Sequence, residues 1–267
     1  MNGKIGIRCD EYIDIKNKNN NMNTRKLLIV LSLLILIACE PLKKMDQNAN
    51  DNAFLYKQAI QNSMYPEASK IDTNLIAINK LNKNLVWKNI NGEDFILVVT
   101  WKQNVSYYKT YVDSTYYNTG KYPIWVTTAP ELVQRMKQET YKDPNQRLKQ
   151  LLGLPPNAVY SYFVEMWVKP EDMFRPCPDK EITDKKCDLC FPANTDSAHI
   201  AWINNSRIER YYQSELYKQY PWSQLGYTYD WNPQNKSHIG LCEFVIGANK
   251  KIQIKAILPT EEYLKKE

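Results

Sequence analysis

The chain is short of glycine, of histidine and of long apolar runs, and each shortage removes a class of protein. Eight glycines and fourteen prolines in 267 residues are too few for a collagen-like or low-complexity chain. No apolar run reaches the roughly 20 residues that a membrane-spanning helix needs, which excludes a polytopic membrane protein. Only two histidines are present, so any imidazole chemistry rests on His199 or His238. Walker, dinucleotide, HExxH, GxSxG and kinase patterns are missing as well. What is there is 43% hydrophobic, 24% charged and 12% aromatic, a composition that builds a folded domain with a sizeable core.

The most informative segment runs from Met22 to Cys39, MNTRKLLIVLSLLILIAC. Arg25 and Lys26 precede an apolar stretch from Leu27 to Ala38, and a cysteine and the polar Glu40 follow. This is the order of a secretory signal, with its basic start, apolar centre and small-residue cleavage site. As a helix the stretch rises only about 18 Å, short of a hydrocarbon core of about 30 Å, so removal is expected rather than a permanent span.

Its last four residues, Leu36-Ile37-Ala38-Cys39, resemble the lipobox of bacterial lipoproteins: an aliphatic residue, a tolerated position, a small residue, then cysteine. Ile37 is a less usual occupant of its position. The resemblance covers the signal alone and no family is evident for the rest of the chain. It implies that the Cys39 thiol is diacylated, that cleavage makes Cys39 the first residue, and that palmitate-type chains hold the protein to a membrane. Two or three chains anchor stably because each buried methylene contributes about 0.8 kcal/mol. The expected location is extracytoplasmic, at the outer membrane or cell surface rather than the inner membrane.

Four regions are expected on this basis. Residues 1–21 are read as a mis-assigned N-terminal extension, 22–38 as the lipoprotein signal peptide, 39–51 as a flexible tether and 52–267 as a single α+β globular domain. Without residues 1–38 the formal charge falls from +6 to +3, and the lysines are dispersed, which argues against a nucleic-acid partner.

Within the domain, apolar spacing at Ala53, Leu55, Tyr56, Ala59 and Ile60 predicts a helix ended by Pro66. Runs 85–90 and 93–101 around Asn91-Gly92 predict a hairpin, with a further strand at 122–126. Helices follow at 130–140 and 144–152, the second capped by Asp143 and closed by Gly153. The run 158–168 reads as a central strand and 170–198 as a loop. Ser206 with Glu209 suggests a helix reaching about residue 218, and strands at 225–231, 240–247 and 251–258 complete the chain. The fold class is α+β, with helices packed on a mainly antiparallel sheet.

Three groups of side chains could carry chemistry. Cys177, Cys187 and Cys190 lie in one polar loop with His199 beyond them; in an exported protein a disulfide from Cys177 to Cys187 or Cys190 is the first expectation, and a zinc site or redox pair the alternatives. Zinc is the one cofactor these residues suggest. Cys242 shares its strand face with apolar residues and reads as a buried, inert thiol. Tyrosines and tryptophans cluster at 107–125 and 211–231, where Trp222, Tyr227, Tyr229 and Trp231 are candidates for a glycan or peptide ligand, although such rings also build cores. Asp230 and His238, at the mouth of a hairpin, could form the orienting half of a general base. Glu165 and Glu243 stand in apolar strands. The reading that results is a lipid-anchored binding or structural module, with an envelope hydrolase and a zinc or thiol module as alternatives.

Overall fold

The computed structural model of the protein describes residues 47–114 and 116–266; the lipobox-like segment and the 21 residues at the start lie outside them. Helix α1 (Gln47–Ser63) buries Tyr56, Ala59 and Ile60 at helical spacing and stops before Pro66, as the sequence predicts. Strands β1 (Trp87–Ile90) and β2 (Glu93–Lys102) form the expected hairpin. Asn91 and Gly92 supply its turn with φ of 53° and 88°, the left-handed pair that matches the twist of a two-residue hairpin. A single helical turn, α2 (Ser106–Lys109), precedes β3 (Tyr117–Asn118) and β4 (Ile124–Thr128).

Helices α3 (Ala129–Lys137) and α4 (Pro144–Leu151) come next. The Asp143 carboxylate accepts from the amides of Asn145 (2.9 Å) and Gln146 (3.2 Å), and Gly153 takes φ of 65° just past the end of α4. After β5 (Tyr162–Val168) and the two-residue β6 (Met173–Phe174) the chain enters the cysteine-bearing loop. Helix α5 (Ser197–Tyr211) then starts nine residues earlier than Ser206, because Asp196 caps it by accepting from the His199 amide at 2.8 Å. The last elements are β7 (Tyr227–Tyr229), β8 (Ile239–Cys242), β9 (Phe244–Ile246), β10 (Lys251–Pro259) and α6 (Thr260–Leu264).

The fold is α+β. An antiparallel sheet runs in the order β3-β10-β5-β2-β4-β9-β6, with β1 added on β2, and β7-β8 make a separate ribbon. β5 lies centrally between β10 and β2, in accord with its apolar character on both faces. On one face Phe95, Leu97, Val99, Phe163 and Trp167 pack under α3, α4 and α6. The opposite face, with Ile96, Val98, Val164, Met166, Phe244 and Ile254, is covered by irregular chain that includes Leu75, Ile78, Cys177 and Cys187. That cover is held by backbone: the Leu75 amide donates to the Lys185 carbonyl (2.9 Å) and the Ile78 amide to Ile182 (2.7 Å). Residues 52–267 make one compact unit.

The predicted strand 240–247 is broken at Glu243. Cys242 still pairs with Tyr227 in the ribbon, whereas Phe244 already pairs with Val126 in the large sheet. Between them the Glu243 amide donates to the Gly226 carbonyl at 2.9 Å. Similarly, the turn at Ala248-Asn249 does not join paired strands: β9 goes to β4 and β6, and β10 to β5 and β3.

Candidate functional site

The divergence of ribbon and sheet at Glu243 opens a cavity of about 300 Å³. Its floor comes from the ends of β2 and β4, including Trp101, Lys102 and Trp125; the wall from Gly153, Leu154 and Tyr160; and the far side from Arg210 at the end of α5, Tyr220, Trp222, Tyr229 and Glu243. Rings dominate it. Trp125 meets Trp222 edge-on with centroids 5.9 Å apart, and Trp101 lies 5.2 Å from Tyr160.

Arg210 is the unusual member. Its guanidinium sits over the Trp125 ring at 4.6 Å and the Tyr220 ring at 4.9 Å, two cation–π contacts that hold the planar group in place. A guanidinium carries five donors in a rigid fork. Among the described residues no carboxylate forms an ion pair with Arg210, and its buried Nε has no hydrogen-bond acceptor. The buried Trp222 Nε1 also lacks an acceptor.

Glu243 faces the same cavity, and its carboxyl has no hydrogen-bonded partner among the described residues. Burial pushes its carboxyl up to about 8, against the opposing pull of Arg210, so near neutrality it is largely protonated and can donate. Lys102 likewise has no ion pair among the described residues, and burial lowers its ammonium below the usual lysine range. The site therefore combines π faces, a stacked cation and a neutral carboxylic acid. Beside it, Glu131 accepts from the Thr127 hydroxyl (2.9 Å) and the Cys242 amide (2.8 Å), and burial lifts its carboxyl to about 7.

The aromatic candidates divide. Trp222 and Tyr229 line the cavity. Tyr227 is buried and donates its hydroxyl to the Lys70 carbonyl at 2.8 Å, and Trp231 is buried with its indole N–H on the Leu154 carbonyl at 3.0 Å, so both serve the core. Trp231 and Tyr229 also border a smaller hollow of about 190 Å³ with His238.

The general-base arrangement does not form. His238 Nδ1 lies 2.8 Å from the backbone carbonyl of Asp230, not from its carboxylate, and its ring stacks on Tyr229 with centroids 4.9 Å apart. The Asp230 carboxylate, fully buried, takes a two-pronged contact from Arg147 (2.9 and 2.7 Å) and a hydrogen bond from Asn235 Nδ2 (2.9 Å). Arg147 also binds Glu139, so Asp230 is spent in a buried ion network.

Cys177 and Cys187 are joined in a disulfide, one of the two pairings expected, which removes both as thiolate ligands for zinc. Cys190 stands in the same loop, and among the described residues no His/Cys/Asp/Glu cluster suits a metal. His199 is a buried side chain in the first turn of α5, and its Nε2 lies 2.8 Å from the Cys177 carbonyl. Cys242 is a buried free thiol whose sulfur accepts from the Ile76 amide at 3.0 Å. Glu165 is neutralised by Lys266 (2.6 Å) and Lys255 (3.1 Å).

Arg210, Tyr160 and Lys102 carry no local motif, and only the tertiary meeting of five separate segments makes them neighbours. The usable signal was Glu243, a carboxylate flanked by apolar residues on both sides. No family model, curated protein or solved structure matches the chain. No helix among the described residues is long and apolar enough to cross a membrane.

Proposed function

We propose that the protein is a lipid-anchored extracytoplasmic binding module whose ligand site is the aromatic cavity around Arg210 and Glu243. The observation that carries the site is the Arg210 guanidinium, stacked between two rings on the cavity wall with no carboxylate partner among the described residues. A cation fixed by stacking but left without an acceptor is an arrangement that a ligand completes. The lipobox-like Leu36-Ile37-Ala38-Cys39 supports the anchor, and the Cys177–Cys187 disulfide suits the oxidising compartment to which such a signal leads.

Binding is favoured over hydrolysis because, among the described residues, the cavity lining offers Glu243 and no second carboxylate, and because His238 and Asp230 are engaged elsewhere. The test is retention of envelope-derived glycan and peptide fragments on the immobilised protein. Tyr220→Ala, at a partly exposed ring of the wall, is expected to weaken retention at least tenfold while the melting temperature stays within a few degrees. Retention unchanged by Tyr220→Ala counts against this site.

A further inference from the structure

Resting on that reading, we propose that the ligand is an acidic sugar, a single hydroxylated ring bearing a carboxylate, with its ring along the indole and phenol faces and its carboxylate on Arg210. The size of the cavity, about 300 Å³, is at the small end of ligand sites and suits one ring rather than a chain of them. Arg210 decides the charge. Its forked donors match a carboxylate, and Trp125 and Tyr220 already hold the plane in place, so little side-chain freedom is lost when the anion docks.

Glu243 would oppose an anion if it were ionised, but its burial keeps it protonated at neutral pH, where it can donate to a ring hydroxyl. Lys102, with no ion pair among the described residues, adds a second cation to the same lining. The hydroxylated ring follows from the remaining wall, where the indoles of Trp101, Trp125 and Trp222 stand with the phenols of Tyr160 and Tyr220, whose hydroxyls make no hydrogen bond to protein among the described residues. A purely aromatic acid would leave those hydroxyls and Glu243 unpaired, at the cost that buried, unmatched polar groups carry.

The test is calorimetry on the full chain with D-glucuronate, D-glucose and benzoate, run beside NMR of the indole N–H groups. Glucuronate is expected to bind at least tenfold more tightly than glucose or benzoate and to shift the Trp125 indole. Arg210→Gln should abolish the preference over glucose, and Arg210→Lys should restore part of it; a melting curve for each variant shows that the fold is kept. Equal binding of glucose, or benzoate as tight as glucuronate, overturns the acidic sugar. If no sugar binds but an envelope peptide fraction shifts the Trp125 indole, the sugar inference fails and the binding site stands. If nothing shifts it, both fail.

Discussion

Asp230 looks like chemistry in the sequence and like architecture in the fold. Its carboxylate, Arg147 and Glu139 form a buried network that ties the end of α3 and the first turn of α4 to the tip of the β7–β8 ribbon. Removing the Asp230 charge takes the two-pronged partner from the buried Arg147 and leaves it Glu139 alone, at a cost of about 3 kcal/mol. Asp230→Asn is therefore expected to lower the unfolding free energy by about that amount in a urea titration, whereas His238→Ala, at a partly exposed ring, should cost about 1 kcal/mol or less. A large loss of stability from His238→Ala with none from Asp230→Asn would reverse the assignment.

Titration gives a second test at this scale. Glu243 holds its proton in the fold up to about 8 and Glu131 up to about 7, both above their ordinary value of 4.5, while the unfolded chain releases those protons earlier. The folded state thus binds more protons between those limits, and stability contributed by each group is full below pH 4.5 and lost as pH rises through its folded value. Melting temperature should decline between pH 5 and 8 more steeply in the wild type than in Glu243→Gln. Identical slopes would mean that Glu243 ionises normally.

At the scale of elements, local signals were legible where local chemistry decides. Asn91-Gly92 announced its hairpin, and Asp143, Pro144 and Gly153 announced both ends of α4. The start of α5 was missed because Asp196 competes as a cap with the more conspicuous Ser206-Glu209 pair. The break at Glu243 was illegible, since an unbroken alternation of residues cannot show that its two halves pair with different sheets. Hence the hairpin was readable and the cavity was not.

Two element-scale consequences follow from packing. A Cβ at Gly240 would lie 2.2 Å from Thr228 Oγ1 and 2.7 Å from the Leu151 carbonyl, so Gly240→Ala must push β8 off α4. A loss of about 3 kcal/mol or more is expected by chemical denaturation. The Cys177–Cys187 link closes a loop with a sequence separation of 10 in the layer covering the sheet. Its reduction should lower stability by about 3 kcal/mol, measured by unfolding with and without reductant. No change on reduction would show that the loop is held by its backbone contacts alone.

For the whole molecule, the scarcity of glycine and of long apolar runs agrees with what is built: a sheet buried on both faces, helices on one side and an irregular layer on the other. The proposed anchor is judged by labelling cells with a palmitate analogue; label and membrane retention should vanish together in Cys39→Ala. The cavity is judged by the tryptophans themselves. Of seven, Trp101, Trp125 and Trp222 line it, whereas Trp87, Trp167, Trp202 and Trp231 do not. The most direct measurement is therefore the indole N–H spectrum of the protein labelled with ¹⁵N-tryptophan, titrated with envelope glycan and peptide fragments. Saturable shifts led by Trp125, Trp222 and Trp101 are predicted; shifts led by the other four, or none at all, would contradict the account.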